Sequence, residues 1–411
     1  MPIDPRPVRG FVFFLMLAAV GPGAALMSAA LLTLTLKATE VSESAAATIS
    51  LSSGIAGIFT LLALPITGAL SDRSRSRFGR RRPFLIAGAL FFALGGALLV
   101  VAPNVALFIV AHLTITTGFV LAGVTVTALV ADQLPVDRRA AATAFLSIGT
   151  PVGALVGTAA ALPFGDDLLP LVGLPTVFAV VTLLMLAAVI RDPRIEDVHT
   201  GERGGSVLRV FWVDPIAHPG FAAVFASRLL VFAGVAALNG YQAIFLLENM
   251  RLDAHALAPA ILLTVLINVS VTVVAAPIVG RVSDRMGVRK PFIVVAAITL
   301  AMGLVFAAMA PDLSSYLIAC GVVGLGQGVY FAVELALATQ VLPDPKNPAK
   351  DLGILRIADN LPVTLVAAVA PALLAVGAAS DGEHNFSALF LAGAASALMG
   401  GFVILLVRTA R

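Results

Sequence analysis

Charge is scarce in this sequence. Only 12% of its 411 residues are Asp, Glu, Lys or Arg, against about 25% in an average soluble domain. Hydrophobic residues make up 59%. No water-soluble fold of this size hides that much apolar surface, and intrinsic disorder needs the opposite composition. Cysteine is nearly missing as well. Cys320 stands alone, which excludes internal disulfides and a cysteine-built zinc site. No His/Glu metal cluster and no nucleophile–base pair stands at usable spacing, so neither an enzyme nor a cofactor is expected. The basic surplus is only 26 against 23, and no nucleic-acid partner is expected. What the sequence does have is long apolar runs. This is a membrane protein.

A helix needs about 20 apolar residues to cross a hydrocarbon core of roughly 30 Å. The charge-free intervals run 10–36, 44–71, 83–131, 140–165, 168–190, 229–247, 254–280, 291–311, 313–333, 360–380 and 384–407. The 49-residue interval 83–131 is broken by Ala102-Pro103-Asn104 into two spans. Twelve spans result if the seventh begins near Pro219 and takes in Arg228. The tenth then includes Glu334 and the eleventh begins near Gly353. The runs are continuous rather than alternating, which argues against a barrel. With the N-terminus inside, 22 of the 26 Lys and Arg fall in cytoplasmic segments, so both termini are expected inside. Lys37 and Arg251 are placed outside, and Arg228 and Arg356 within spans. The run after Arg6 and Arg9 is too long for a signal-peptide core and reads as a retained first span. A multi-pass protein of the plasma membrane is expected.

The chain reads as two copies of one unit. Gly68-Ala69-Leu70-Ser71-Asp72-Arg73 and Gly79-Arg80-Arg81-Arg82-Pro83-Phe84 return as Gly280-Arg281-Val282-Ser283-Asp284-Arg285 and Gly287-Val288-Arg289-Lys290-Pro291-Phe292. Ala128-Leu129-Val130-Ala131-Asp132-Gln133-Leu134-Pro135 has an echo in Ala336-Leu337-Ala338-Thr339-Gln340-Val341-Leu342-Pro343. The offsets are 212 and 208, close to half the chain. The expected architecture is all-α, with bundles of six spans at 1–190 and 219–411 and a cytoplasmic linker at 191–218. Parallel repeats of this kind describe the halves of a major facilitator carrier, with substrate held between them. Within the linker, Val207 to Trp212 reads as either an interfacial amphipathic piece or a plain linker helix.

The loop between spans two and three surrounds Asp72 with arginines, among them Arg73, Arg77, Arg80 and Arg81. Gly68 is expected to let helices approach, Gly79 to make a tight turn, and Asp72 to accept charge-assisted bonds. Such a cluster, duplicated at Asp284 and Arg285, suits a latch that holds one state of a carrier. Alternatively it is a positive-inside anchor only.

These residues carry a resemblance. Ser71-Asp72-Arg73, Ser76 to Phe84, and Ala128-Leu129-x-Ala131-Asp132 followed by Ala142-x-Ala144-Phe145-x-Ser147 resemble the glycoside–pentoside–hexuronide branch of the major facilitator superfamily. Within it, they are most similar to the sucrose–proton symporters of plants and their animal and bacterial relatives. The resemblance implies a proton-coupling role for Asp132. It also shows departures: Ala140 and Ala141 stand where the plant carriers place an arginine, and Arg138 and Arg139 are the nearest basic residues. Span two has no acid, and span four none before Asp132, which argues against the sodium coupling of melibiose-type carriers.

An ionisable residue inside a span is a functional candidate. Arg228 and Glu334 lie at similar depths and are expected to pair, either as a coupling site or as a self-neutralising pair. Arg356 and Asp359 are placed at the inner rim of span eleven. His112 reads as a satisfied buried histidine or as a proton carrier. Asn239, Tyr241, Gln242, Asn268, Gln327, Tyr330 and Asn360 supply uncharged donors and acceptors suited to a neutral polyhydroxyl solute, or to interhelical contacts. Gly149-Thr150-Pro151-Val152-Gly153 reads as helix packing, or as the glycine–proline motif of drug antiporters. The expected function is secondary transport of a small polar solute, proton-coupled and sugar-type. The alternative is proton-driven export of a drug or amphipathic metabolite. The partners expected are the solute, protons and the lipid bilayer, with the chain acting as a monomer.

Overall fold

The computed structural model describes residues 10–74, 76–190, 192, 214–343, 348–377 and 384–407. Val207 to Trp212 therefore lies outside the described residues, as does the side chain of Arg356. The apolar runs form helices: α1 Phe11–Val41, α2 Ala45–Arg73, α3 Arg82–Val101, α4 Val105–Gln133, α5 Val136–Ala161 and α6 Leu168–Val189. After the linker come α7 Pro219–Asn249, α8 Ala254–Met286, α9 Lys290–Ala308, α10 Leu313–Ala338, α11 Pro348–Leu374 and α12 Phe386–Leu406. No strand occurs among the described residues. Eleven of the helices contain a stretch long and apolar enough to cross a membrane. The remaining one, α5, has 26 residues, and its shorter apolar stretch, Ile148–Phe164, runs on through the turn that follows it. The protein is an all-α membrane protein of twelve spans in two six-helix bundles, with both termini inside.

Exposure confirms what surrounds it. On α2, Leu51, Ile58, Leu62, Ile66 and Leu70 are each more than half exposed and fall on one stripe, spaced by seven residues and then by four. A soluble protein does not leave such a stripe open; lipid covers it. The same stripe returns on α8 as Val274, Ile278 and Val282, 212 residues after Leu62, Ile66 and Leu70.

Two compact units are built from Met1–Arg203 with Ala254–Pro259, and from Gly204–Asp253 with Ala260–Arg411. Their internal pairings match. In the first, α3 packs on α4 and α6, and α1 on α5 and α6. In the second, α9 packs on α10 and α12, and α7 on α11 and α12. The register is shared to the residue at an offset of 208. Asn104 caps α4 by accepting from Leu107 N at 3.0 Å, and Asp312 caps α10 by accepting from Ser315 N at 2.8 Å. The hydrogen bonds from Ser315 also pull the Asp312 carboxyl below its ordinary range. A side chain at Gly95 would meet Ile115 N at 2.7 Å, and one at Gly303 would meet Val323 N at 2.7 Å. Small residues let backbones touch in this way where no hydrophobic effect drives helices together. The α5 glycines serve the same purpose: a Cβ at Gly149 would meet Ala19 of α1 at 2.6 Å, and one at Gly157 would meet Ala24 O at 2.6 Å, a packing role for the glycine–proline stretch.

One expectation is corrected. Among the described residues, a Cβ at Gly68 would meet nothing within 4 Å, so no helix approaches closely there. Lys37 lies on the outer end of α1, which continues to Val41, and the buried Lys37 ammonium donates to Val100 O at 3.1 Å and to Glu40 at 2.9 Å. The outer ends of α1 and α7 each contain a π turn, Ala29–Thr33 and Phe245–Asn249.

The seam between α3 and α4 yields a paired prediction. A Cβ at Gly118 would sit 2.9 Å from the Phe92 ring and 3.0 Å from Gly88 O, whereas one at Gly123 meets nothing within 4 Å. Gly118→Ala is expected to destabilise by about 1–3 kcal/mol through overpacking. Gly123→Ala is expected to hold or raise stability through helix propensity. Thermal unfolding of the two variants in detergent checks this.

Candidate functional site

Two charged clusters form, one in each bundle. The first lies at the inner end of α2, α3 and α4. The Arg81 side chain is 5% exposed and must satisfy its donors inside the protein. Its Nη1 donates to Ser71 Oγ at 2.6 Å, its Nη2 pairs with Asp72 at 2.8 Å, and its Nε donates to Asp132 at 2.7 Å. Arg80 Nη2 reaches both Asp132 oxygens at 2.8 Å. The partners of Asp132 are thus Arg80 and Arg81, not Arg73 or Arg138. Arg73 is exposed, and Arg77 lies over the Phe78 ring at 4.7 Å.

A residue that the sequence did not flag completes this cluster. Asp192 Oδ2 accepts from the backbone N–H of Arg81 at 2.6 Å and of Arg82 at 2.7 Å, satisfying orphan donors at the start of α3. Gly79 makes room for it. Its φ of +104° is open to glycine, and a Cβ there would run into the Asp192 carboxylate. Arg82 then donates to Ile190 O, at the end of α6, at 2.9 Å.

The second bundle repeats the frame without the acid. Arg289, 208 residues after Arg81, lies 3.9 Å from Asp284 and donates to Ala336 O. Lys290 donates to Val407 O at the end of the last helix, as Arg82 does to Ile190. Gln340 stands where Asp132 would be. Arg285 is exposed.

The other cluster is deeper. Arg228 on α7 is an ion-pair partner of both Glu334 on α10 and Asp359 on α11. Nη1 goes to Glu334 Oε2, while Nε and Nη2 grip the two oxygens of Asp359, the latter bond at 3.1 Å. The Glu334 side chain is 3% exposed and that of Asp359 27%. Phe232, one turn along α7, lies under the guanidinium at 5.5 Å and packs edge-on against Tyr330. The expected Arg228–Glu334 pair is present. Asp359, placed by the sequence at the inner rim with Arg356, lies about three turns along α11, which begins at Pro348, and near the start of its apolar stretch Ile357–Leu374.

Of the other polar candidates, two tie helices together. Gln242 accepts from Thr264 at 3.3 Å, and Asn268 donates to Cys320 O at 3.3 Å. Tyr241, Gln327 and Tyr330 are buried, Asn360 is half-buried and Asn239 is exposed. His112 is buried, and its Nδ1 has no partner among the described residues. In the same register, Val126 and Ala122 stand 208 residues before Glu334 and Tyr330, both buried and apolar. The repeat is broken where the charge is.

A model of the Major Facilitator Superfamily matches residues 10–271 and, again, 224–411. The chain belongs to the major facilitator superfamily. It is a membrane transporter. A search of curated proteins finds no match. Solved structures share the fold of this superfamily member. One is a bacterial homologue of the human lysosomal transporter Spinster, inward-facing and unoccupied, at 15% identity, with 98% of this chain and 97% of that one covered and a TM-score of 0.70. The nucleoside transporter NupG has 13% identity, coverage of 97% and 100%, and a TM-score of 0.74. A D-xylose–proton symporter has 18% identity, coverage of 98% of both chains, and a TM-score of 0.70.

The charge count in the second cluster decides which variants survive. Arg228→Gln strands two acids and is expected to cost about 3–5 kcal/mol. Glu334→Gln leaves the balanced Arg228–Asp359 pair and is expected to express and melt like the wild type. Expression and thermal stability of the two in detergent separate these outcomes.

Proposed function

We propose that this transporter is a proton-coupled symporter of a sugar or a related small polar solute. We assign it to the glycoside–pentoside–hexuronide branch, with a place in the plasma membrane, a monomeric working unit and alternating access. The observation that carries this reading is the buried set of two carboxylates on one guanidinium. Among the described residues such a set bears one uncompensated negative charge, and burial makes that charge costly. One proton on one carboxyl removes it. Glu334, the more deeply buried acid, is the proton-carrying residue in this reading, with Arg228 and Asp359 as its partners.

The solute class is supported by the neutral polar side chains of the same bundle, Asn239, Tyr241, Gln327, Tyr330 and Asn360. Gln242 and Asn268 serve packing. Both oxygens of Asp132 are engaged by arginines, which suits a latch on the inner face better than a site that must release its proton. Gly79, Arg80, Arg81, Asp72 and Asp132 form that latch. Asp284 with Arg289 forms its weaker counterpart.

Uptake into proteoliposomes tests the reading, with labelled glucose, xylose and sucrose under an imposed proton gradient. At least one sugar is expected to accumulate, and a protonophore to abolish the accumulation. Glu334→Gln should keep exchange and lose accumulation, while Asp132→Asn should slow transport yet leave it coupled. Gradient-driven expulsion of an amphipathic dye, with no uptake of the three sugars, would replace symport by export.

A further inference from the structure

Arg228 offers five N–H donors in a fixed fork, and its two neighbours use them unequally. Asp359 takes the Nε–Nη2 edge with both of its oxygens, the geometry in which carboxylate and guanidinium fit best. Glu334 receives only Nη1, on Oε2. Its Oε1 is buried and has no hydrogen-bond partner among the described residues. The hydroxyl oxygens of Tyr330, one turn away on α10, and of Ser227, beside Arg228, are likewise buried, face each other, and have no carboxylate or guanidinium bonded to them among the described residues. The Tyr330 hydroxyl lies in the field of Glu334, Arg228 and Asp359.

Resting on the symport reading above, we propose that Asp359 is a positioning residue: by holding the Nε–Nη2 edge it keeps Arg228 from fully neutralising Glu334, and so leaves Glu334 able to take up a proton. As an anion, Glu334 keeps an unpaired oxygen in a dry site. As an acid, its Oε1–H donates to the Tyr330 or the Ser227 oxygen, and the cluster of three becomes neutral. The proton comes from water and returns to it, with no covalent step. Release follows when Asp359 lets go and the guanidinium turns wholly to Glu334. Among the described residues, the groups facing Glu334 are Arg228 from α7, Tyr330 from its own helix, with Ser227 of α7 behind it, and Asp359 from α11. Among the described residues, α9 and α12 bring no charged side chain into ion-pair distance of these.

Isotope-edited infrared spectroscopy of the whole protein in liposomes tests this without a transported solute. Two samples carry a heavy carbon in the carboxyl of either glutamate or aspartate. On acidification from about pH 8 to pH 5, where coupling groups are poised, a protonated-carboxyl band is expected. It should move with the glutamate label, ignore the aspartate label and be missing from Glu334→Gln. In Asp359→Asn its midpoint should fall by about one pH unit or more, a tenfold loss of proton affinity. Asp359→Glu should bring it back towards the wild type. A purely structural Asp359 would change the melting temperature and leave the midpoint in place.

A band that follows the aspartate label, a midpoint unmoved in Asp359→Asn, or no band at all would each overturn the proposal. Should Asp359→Asn fail to fold, the labelled wild type and Asp359→Glu still decide. Failure of proton-driven uptake would overturn the symport reading while leaving this titration intact.

Discussion

A guanidinium placed in hydrocarbon has to be given its counter-charge by the protein, because lipid offers none. Arg228 is given two. That surplus organises the second bundle: α7 brings the cation, α10 and α11 each bring an acid, and the Phe232 ring closes the space beneath. The charge that remains fixes the chemistry open to the site. It does not welcome an anion, and it has room for one unit of positive charge. A proton is the smallest such unit, and its uptake and loss do not require the helices to admit a hydrated ion.

The same physical demand appears at the inner face with a different solution. There the buried Arg81 faces Ser71, Asp72 and Asp132, while Asp192 takes up the backbone N–H groups beside it. Three acids, Asp72, Asp132 and Asp192, stand against Arg80, Arg81 and Arg82. That cluster is balanced and serves as a tie. The second bundle keeps the tie at its weakest, through carbonyls, and spends its acids deeper.

The spans, their orientation and the repeat were legible because each rests on a strong local signal: twenty apolar residues, a skew of basic residues, or a motif returning after 208 or 212 positions. The pairing of Arg228 with Glu334 was legible from depth alone, since both had to be buried and opposite charges inside a membrane seek each other. The second partner, Asp359, was not, because its neighbour in sequence was Arg356 and only the packing of α11 on α7 brings it to Arg228. The partners of Asp132 were hidden for a related reason. Arg138 is near in sequence and Arg80 is near in space, and only the packing of α3 on α4 tells them apart. Asp192 gave no signal at all, since an acid after a span looks like a linker residue until Gly79 turns the chain beneath it.

The glycine seams have a mechanical meaning. Where Gly95 and Gly118 set α3 against α4, and Gly303 and Gly326 set α9 against α10, the glycine has no side chain of its own, so the facing backbone and the Ile115, Phe92, Val323 and Leu300 side chains close directly onto the helix. A contact that close leaves little room for either helix to shift by itself. Each pair is therefore a stiff plank, able to slide only in steps as large as a helical turn and otherwise bound to tilt as one piece. Glu334 rides on such a plank, and Asp359 rides on α11, outside it. The distance between those two acids is a natural gauge of the transporter's state.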